Sequence, residues 1–150
     1  MRLLLFYSLL FLACTATQRT QRQAELEEYR RALTATPDVT DARPAAERYL
    51  DLAETYARDF PTDTLRTEYL FVAADVARGL GSYERAIRLW EQVRTDPSFN
   101  KAPVALFLQG FTAETGLRDP GRAAGYYRAF LRTYPEHELA AQVRQLLSLL

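Results

Sequence analysis

Two side chains in this chain of 150 residues could act as nucleophile, proton carrier or metal ligand in their own right: Cys14 and His137, its only cysteine and only histidine. Covalent or acid–base catalysis needs such groups in one pocket, a nucleophile beside a base that a third group orients. These two stand at opposite ends of the chain. The sequence has no glycine-rich phosphate loop, and a single histidine and a single cysteine exclude His-x-x-x-His and Cys-x-x-Cys pairs. A hydrolase or transferase is therefore not expected, and neither are a metal, a cofactor or a small-molecule substrate. His137, flanked by Glu136 and Glu138, is either a pH-sensitive contact or an exposed turn residue, and the latter is expected. One cysteine forms no internal disulfide, so it does not report the redox compartment.

Charge narrows the partners. Nineteen bases balance nineteen acids, and Lys101 is the only lysine. Acids and arginines interleave, as in Glu25-Leu26-Glu27-Glu28-Tyr29-Arg30-Arg31. That is the pattern of solvated helix faces with i,i+4 pairs. A nucleic-acid surface needs a local excess of positive charge, which is missing here.

The first residues carry one positive charge, Arg2, and then an apolar run from Leu3 to Ala13. Eleven residues are too few to span a bilayer, which takes about 20, but they match the apolar region of a signal peptide. Leu12-Ala13-Cys14 resembles the lipobox of bacterial lipoproteins, with Phe11 standing where leucine is usual. That resemblance implies a signal peptide over residues 1–13 and lipidation of Cys14, with several acyl chains giving a stable anchor. Ordinary signal cleavage after Ala16 and an uncleaved hydrophobic helix are the alternatives.

Beyond the leader the chain reads as helices. Thr15 to Gln23 is polar and reads as a tether. Arg22 to Ala35 has a thin apolar stripe of Leu26, Tyr29 and Leu33. Thr36 to Pro44 reads as a loop, leaving residues 14–43 as tether, short helix and loop before a domain over 44–150. In that domain helices are expected up to about Asp59, over Thr64 to Arg78, Ser82 to Arg94, Ala102 to Thr115, Asp119 to Tyr134 and Glu136 to Leu150. Thr62 or Asp63, Ser82 and Asp119 are the expected N-caps, and Gly79-Leu80-Gly81 is the expected left-handed stop. Val104 to Leu108 and Phe111 make the helix over 102–115 the most apolar, and Gly110 within it suits the close approach of a neighbour. Ala86, Trp90 and Val93 recur 37 residues later as Ala123, Tyr127 and Phe130, which marks a repeated helical hairpin.

The repeated unit resembles the tetratricopeptide repeat. Ala86 and Ala123 match its small second-helix position, Trp90 and Tyr127 its large aromatic, and Pro97 and Pro135 stand near its closing proline. Ala74 and Gly110 match its small first-helix position. The stretches Phe60-Pro61-Thr62-Asp63, Lys101 to Leu108 and Ala129 to His137 are similar to small repeat-containing lipoproteins of bacterial envelopes, of the barrel-assembly and TolA-binding coordinator types. The resemblance implies an all-α fold, antiparallel helix pairs stacked as a short right-handed solenoid. It also implies a non-catalytic adaptor, held by its lipid in the outer membrane and facing the periplasm. Its partner would be an envelope protein whose peptide or helix lies in a concave groove. A structural subunit of a stable envelope complex is the alternative function, and a soluble periplasmic or secreted protein the alternative location. Carried over by position, the groove would be lined by Glu68, Phe71, Asp75 and Arg78, then Phe107, Phe111 and Glu114, then Gln142. The two phenylalanines would be apolar anchors and the charges a specificity rim; their alternative role is core.

Overall fold

A computed structural model of the chain describes the backbone of residues 2–35, 39–97 and 99–150, and the side chains of residues 16–35, 42–97 and 99–150. The described residues form α-helices and no strand, in accord with the all-α expectation. They are α1 (Arg2–Ala35), α2 (Val39–Asp59), α3 (Arg66–Gly79), α4 (Tyr83–Arg94), α5 (Ala102–Thr115), α6 (Pro120–Thr133) and α7 (Ala140–Ser148). Contacts group the chain into two compact units, one up to Asp63 and one from Thr64 onward.

In the first unit α1 packs on α2. Leu26 is fully buried, while Tyr29 and Leu33 are only half-buried, as a thin stripe requires. Polar contacts supplement it. Gln23 Nε2 donates to the Tyr56 hydroxyl at 2.7 Å, and Arg48 donates to Glu25 at 3.1 Å. Arg19 lies 3.5 Å from Asp63. Residues 15–23, read from sequence as a tether, are helical and continuous with the rest of α1. Glutamine, arginine and alanine favour helix without an apolar period, so periodicity does not detect it. The expected loop over 36–44 is shorter than read: α2 begins at Val39 and takes Pro44 inside it, and residues 36–38 lie outside the described set.

The second unit stacks α3 on α4, α4 on α5, α5 on α6 and α6 on α7. Connections of three to seven residues between such neighbours make each pair antiparallel. Gly81 takes the left-handed conformation at φ +77°, and the Ser82 amide donates to the Ala77 carbonyl at 2.8 Å, closing α3. Asp119 caps α6: its Oδ1 accepts from the Arg122 amide at 2.9 Å, with Pro120 in the first turn. Three expectations differ. Ser82 makes no side-chain capping bond to α4. The turn after Phe60 runs on to Leu65, which precedes α3 without a side-chain cap, so neither Thr62 nor Asp63 serves there. The last helix starts at Ala140 rather than Glu136. Successive turn bonds, His137 to Tyr134 and Ala140 to His137, hold the chain before it.

The hairpin equivalences are visible in the packing. Ala86 and Ala123, Trp90 and Tyr127, and Val93 and Phe130 are all fully buried. One apolar cluster joins Ile87 of α4, Leu106 and Ala113 of α5, Ala123, Tyr127 and Phe130 of α6, and Ala140 and Val143 of α7. Gly110 admits the Tyr127 ring: a Cβ there would lie 2.5 Å from it. Gly116 admits Tyr83 in the same way at 2.6 Å, whereas Gly79, its equivalent in the first copy, faces open space. Gly110 thus brings α6 close to α5, and Gly116 brings the second hairpin close to α4 of the first.

Candidate partner-binding face

Helix α5 is apolar almost throughout, yet its burial is inverted. Gln109 and Thr112 are buried with Ala105, Leu106, Gly110 and Ala113. Val104, Phe107, Leu108 and Phe111 are only half-buried. The helical period explains the split. Residues 105, 106, 109, 112 and 113 face the neighbouring helices, whereas 104, 107, 108 and 111 form the opposite stripe. Phe107 and Phe111 stack at 6.1 Å between centroids, and Phe107 also stacks on Tyr127 at 6.5 Å. They are thus neither fully core nor free, but one apolar ridge that leans on the core with one edge.

Gln109 is held by α4. Its Nε2 donates to the Ile87 carbonyl at 3.0 Å and to Glu91 at 3.1 Å. Arg94 grips the same carboxylate with two bonds of 2.6 Å. Partial burial would raise the Glu91 pKa, but these donors outweigh it and hold the carboxyl below its ordinary range. Glu114, one turn past Phe111, accepts from the Tyr127 hydroxyl at 2.7 Å. Burial, reinforced by that carboxylate, pushes the phenol well above its usual pKa, so the hydroxyl stays a donor. Glu114 thereby anchors Tyr127.

On α3 the corresponding stripe is polar. Glu68 and Phe71 meet Phe99 and Lys101, from the turn before α5. Lys101 Nζ donates to both Glu68 oxygens at 3.0 and 3.1 Å. It also lies 5.1 Å from the Phe71 centroid and 5.8 Å from that of Phe99, whose rings are 5.7 Å apart. Asp75 accepts from Arg78 Nε and a terminal guanidinium nitrogen at 3.2 and 2.9 Å. The structure therefore assembles Glu68 with Phe71, Asp75 with Arg78, and Phe107 with Phe111. Gln142 is exposed on α7, apart from these groupings. Phe99 and Lys101 are contacts of the expected residues Glu68 and Phe71 that motif spacing does not reveal. Their only sequence signal is that Lys101 is the sole lysine.

The Cys14 side chain, expected to be lipidated, lies outside the described residues. His137 is half-buried rather than exposed: its ring sits edge-on to Phe130 at 5.7 Å, and its Nδ1 accepts from the Leu139 amide at 3.2 Å. Local turn geometry tucks it there. Among the described residues no helix is long and apolar enough to cross a membrane, and no group of His, Cys, Asp or Glu is placed to hold a metal ion.

Comparison with protein families, characterised proteins and solved structures gives no match.

Proposed function

We propose that this chain is a non-catalytic adaptor built as a short tetratricopeptide-like right-handed solenoid. It would be anchored in the bacterial outer membrane through a lipidated Cys14, face the periplasm, and bind a peptide or helix of an envelope protein. The inverted burial of α5 carries the reading. A helix that buries Gln109 and Thr112 while leaving Phe107 and Phe111 half out is spending its best apolar side chains on a surface. Large aromatics on a rigid helix face, together with paired charges on α3, are what partner grooves offer. The consecutive antiparallel packing of α3 to α7 and the matched burial of Ala86/Ala123 and Trp90/Tyr127 support the repeat reading. The second reading, a permanent subunit of an envelope complex, is favoured by Leu149 and Leu150, which stay exposed at the end of the stack.

Capture of partners from intact envelopes by the full chain tests the adaptor. Phe107→Ala with Phe111→Ala should abolish capture while circular dichroism still shows a folded helical protein. Capture that survives this change in a folded variant refutes the reading. Fatty-acid labelling tests the anchor: it should vanish in Cys14→Ala, and labelling that persists there refutes lipidation at this position.

A further inference from the structure

The exposed stripe of α3 carries two carboxylates, Glu68 and Asp75, and each is already occupied by a base of the same chain. Lys101 sits on Glu68 and beside two neighbouring phenylalanine rings, an anion with aromatic faces, an arrangement that binds an ammonium group. Arg78 sits on Asp75. Neither pair is closed to solvent: the side chains are 42% and 35% exposed for Lys101 and Glu68, and 37% and 57% for Arg78 and Asp75. Exposed pairs contribute little to stability, so exchanging one cation for another costs the fold little. Seven residues separate the two carboxylates on one helix face, which places them about 10 Å apart along the axis.

We infer that this stripe is a subsite for a basic segment of the partner, with two cationic side chains about 10 Å apart that displace Lys101 and Arg78 from Glu68 and Asp75. A polyproline-type segment meets that spacing with bases three residues apart, since it advances about 3.1 Å per residue and repeats every third side chain. Lys101 is then an internal stand-in for the partner's cation. It occupies the place of a charge beside the Phe71 and Phe99 rings and leaves when a better-placed one arrives. The inference rests on the adaptor reading and adds the chemistry of the partner to it.

Because the chain has one lysine, a sample labelled with carbon-13 at the lysine ε-carbon gives one side-chain signal, shifted by the two rings. The probe is the peptide acetyl-Lys-Pro-Pro-Lys-amide, titrated into the full chain, with acetyl-Gln-Pro-Pro-Gln-amide as control. The charged peptide should move the lysine signal toward its free position and perturb amides of α3, and the neutral one should do neither. Lys101→Met should bind the charged peptide about threefold more tightly, the size of a weak surface pair removed from competition. Glu68→Gln with Asp75→Asn should weaken it at least as much. A lysine signal that stays in place at millimolar charged peptide overturns the inference, as does equal affinity in parent and Lys101→Met. Dichroism of each variant separates lost binding from lost fold. If envelope capture through Phe107 and Phe111 holds while the lysine signal does not move, only the basic-segment inference falls. If the signal moves but no envelope partner is captured, the adaptor reading falls instead.

Discussion

Single side chains at the α5–α6 contact set the stability of the second hairpin. At Gly110 a methyl group would collide with the fully buried Tyr127 ring and approach the Tyr126 Cβ at 3.3 Å. Neither ring nor helix has room to give way, so overpacking at about 1–3 kcal/mol exceeds the roughly 1 kcal/mol that alanine gains over glycine in a helix. Gly125, exposed in α6 with nothing near its missing Cβ, has the gain without the collision. Gly110→Ala should therefore lower the melting temperature and Gly125→Ala raise it. Equal shifts in the two variants would show that Tyr127 does not fill the Gly110 notch. Thr112 gives a third case. Its hydroxyl is buried with no hydrogen-bond partner among the described residues. Thr112→Val keeps the shape and removes the desolvated hydroxyl, so urea unfolding should show a gain of about 1 kcal/mol.

Helices carry the next level, and here legibility was uneven for physical reasons. The limits of α5 and α6 follow from Pro103, Gly116, Asp119 and Pro120, whose backbone chemistry acts locally. The start of α7 is not legible because turn bonds around His137 compete with helix, and the polar part of α1 is not legible because its docking uses hydrogen bonds rather than an apolar stripe. The face of α5 was legible as a stripe but not as an interior or exterior, since a helix apolar on every side has no polar face to orient it. The Lys101–Glu68 contact spans 33 residues and leaves no trace in spacing. The α4–α5 clamp has a pH signature. Glu91 has a folded pKa depressed below its unfolded value near 4.5, so its contribution is present above that value. It is lost as pH falls through the depressed pKa, because protonation removes the charge that Arg94 and Gln109 hold. Thermal melts should show Glu91→Gln less stable than the parent at neutral pH, with the gap closing at pH values well below 4.5. A gap that persists unchanged in acid would mean that the charge of Glu91 is not what joins the helices.

The whole chain divides by where its apolar contacts close. The buried residues of the second unit's cluster lie on α4 to α7, and α3, whose Tyr69, Leu70, Ala73 and Ala77 are buried, packs on α4. These helices all belong to the compact unit that begins at Thr64. In a stack of hairpins each element depends on its neighbours, so the two ends of the unit are unequal. Removing everything before Thr64 leaves the cluster whole. Removing α7 takes away Ala140 and Val143 and uncovers Phe130 and Tyr127, the largest buried rings of α6. The fragment 64–150 should thus give a helical dichroism spectrum and one cooperative urea transition, matching the second-unit signal of the full chain. The fragment 64–138 should unfold at lower urea with a smaller slope, and should bind a dye specific for exposed apolar surface. A non-cooperative 64–150 would mean that the packing of α3 to α7 is not self-sufficient. An unaffected 64–138 would mean that α7 lies on the stack without supporting it.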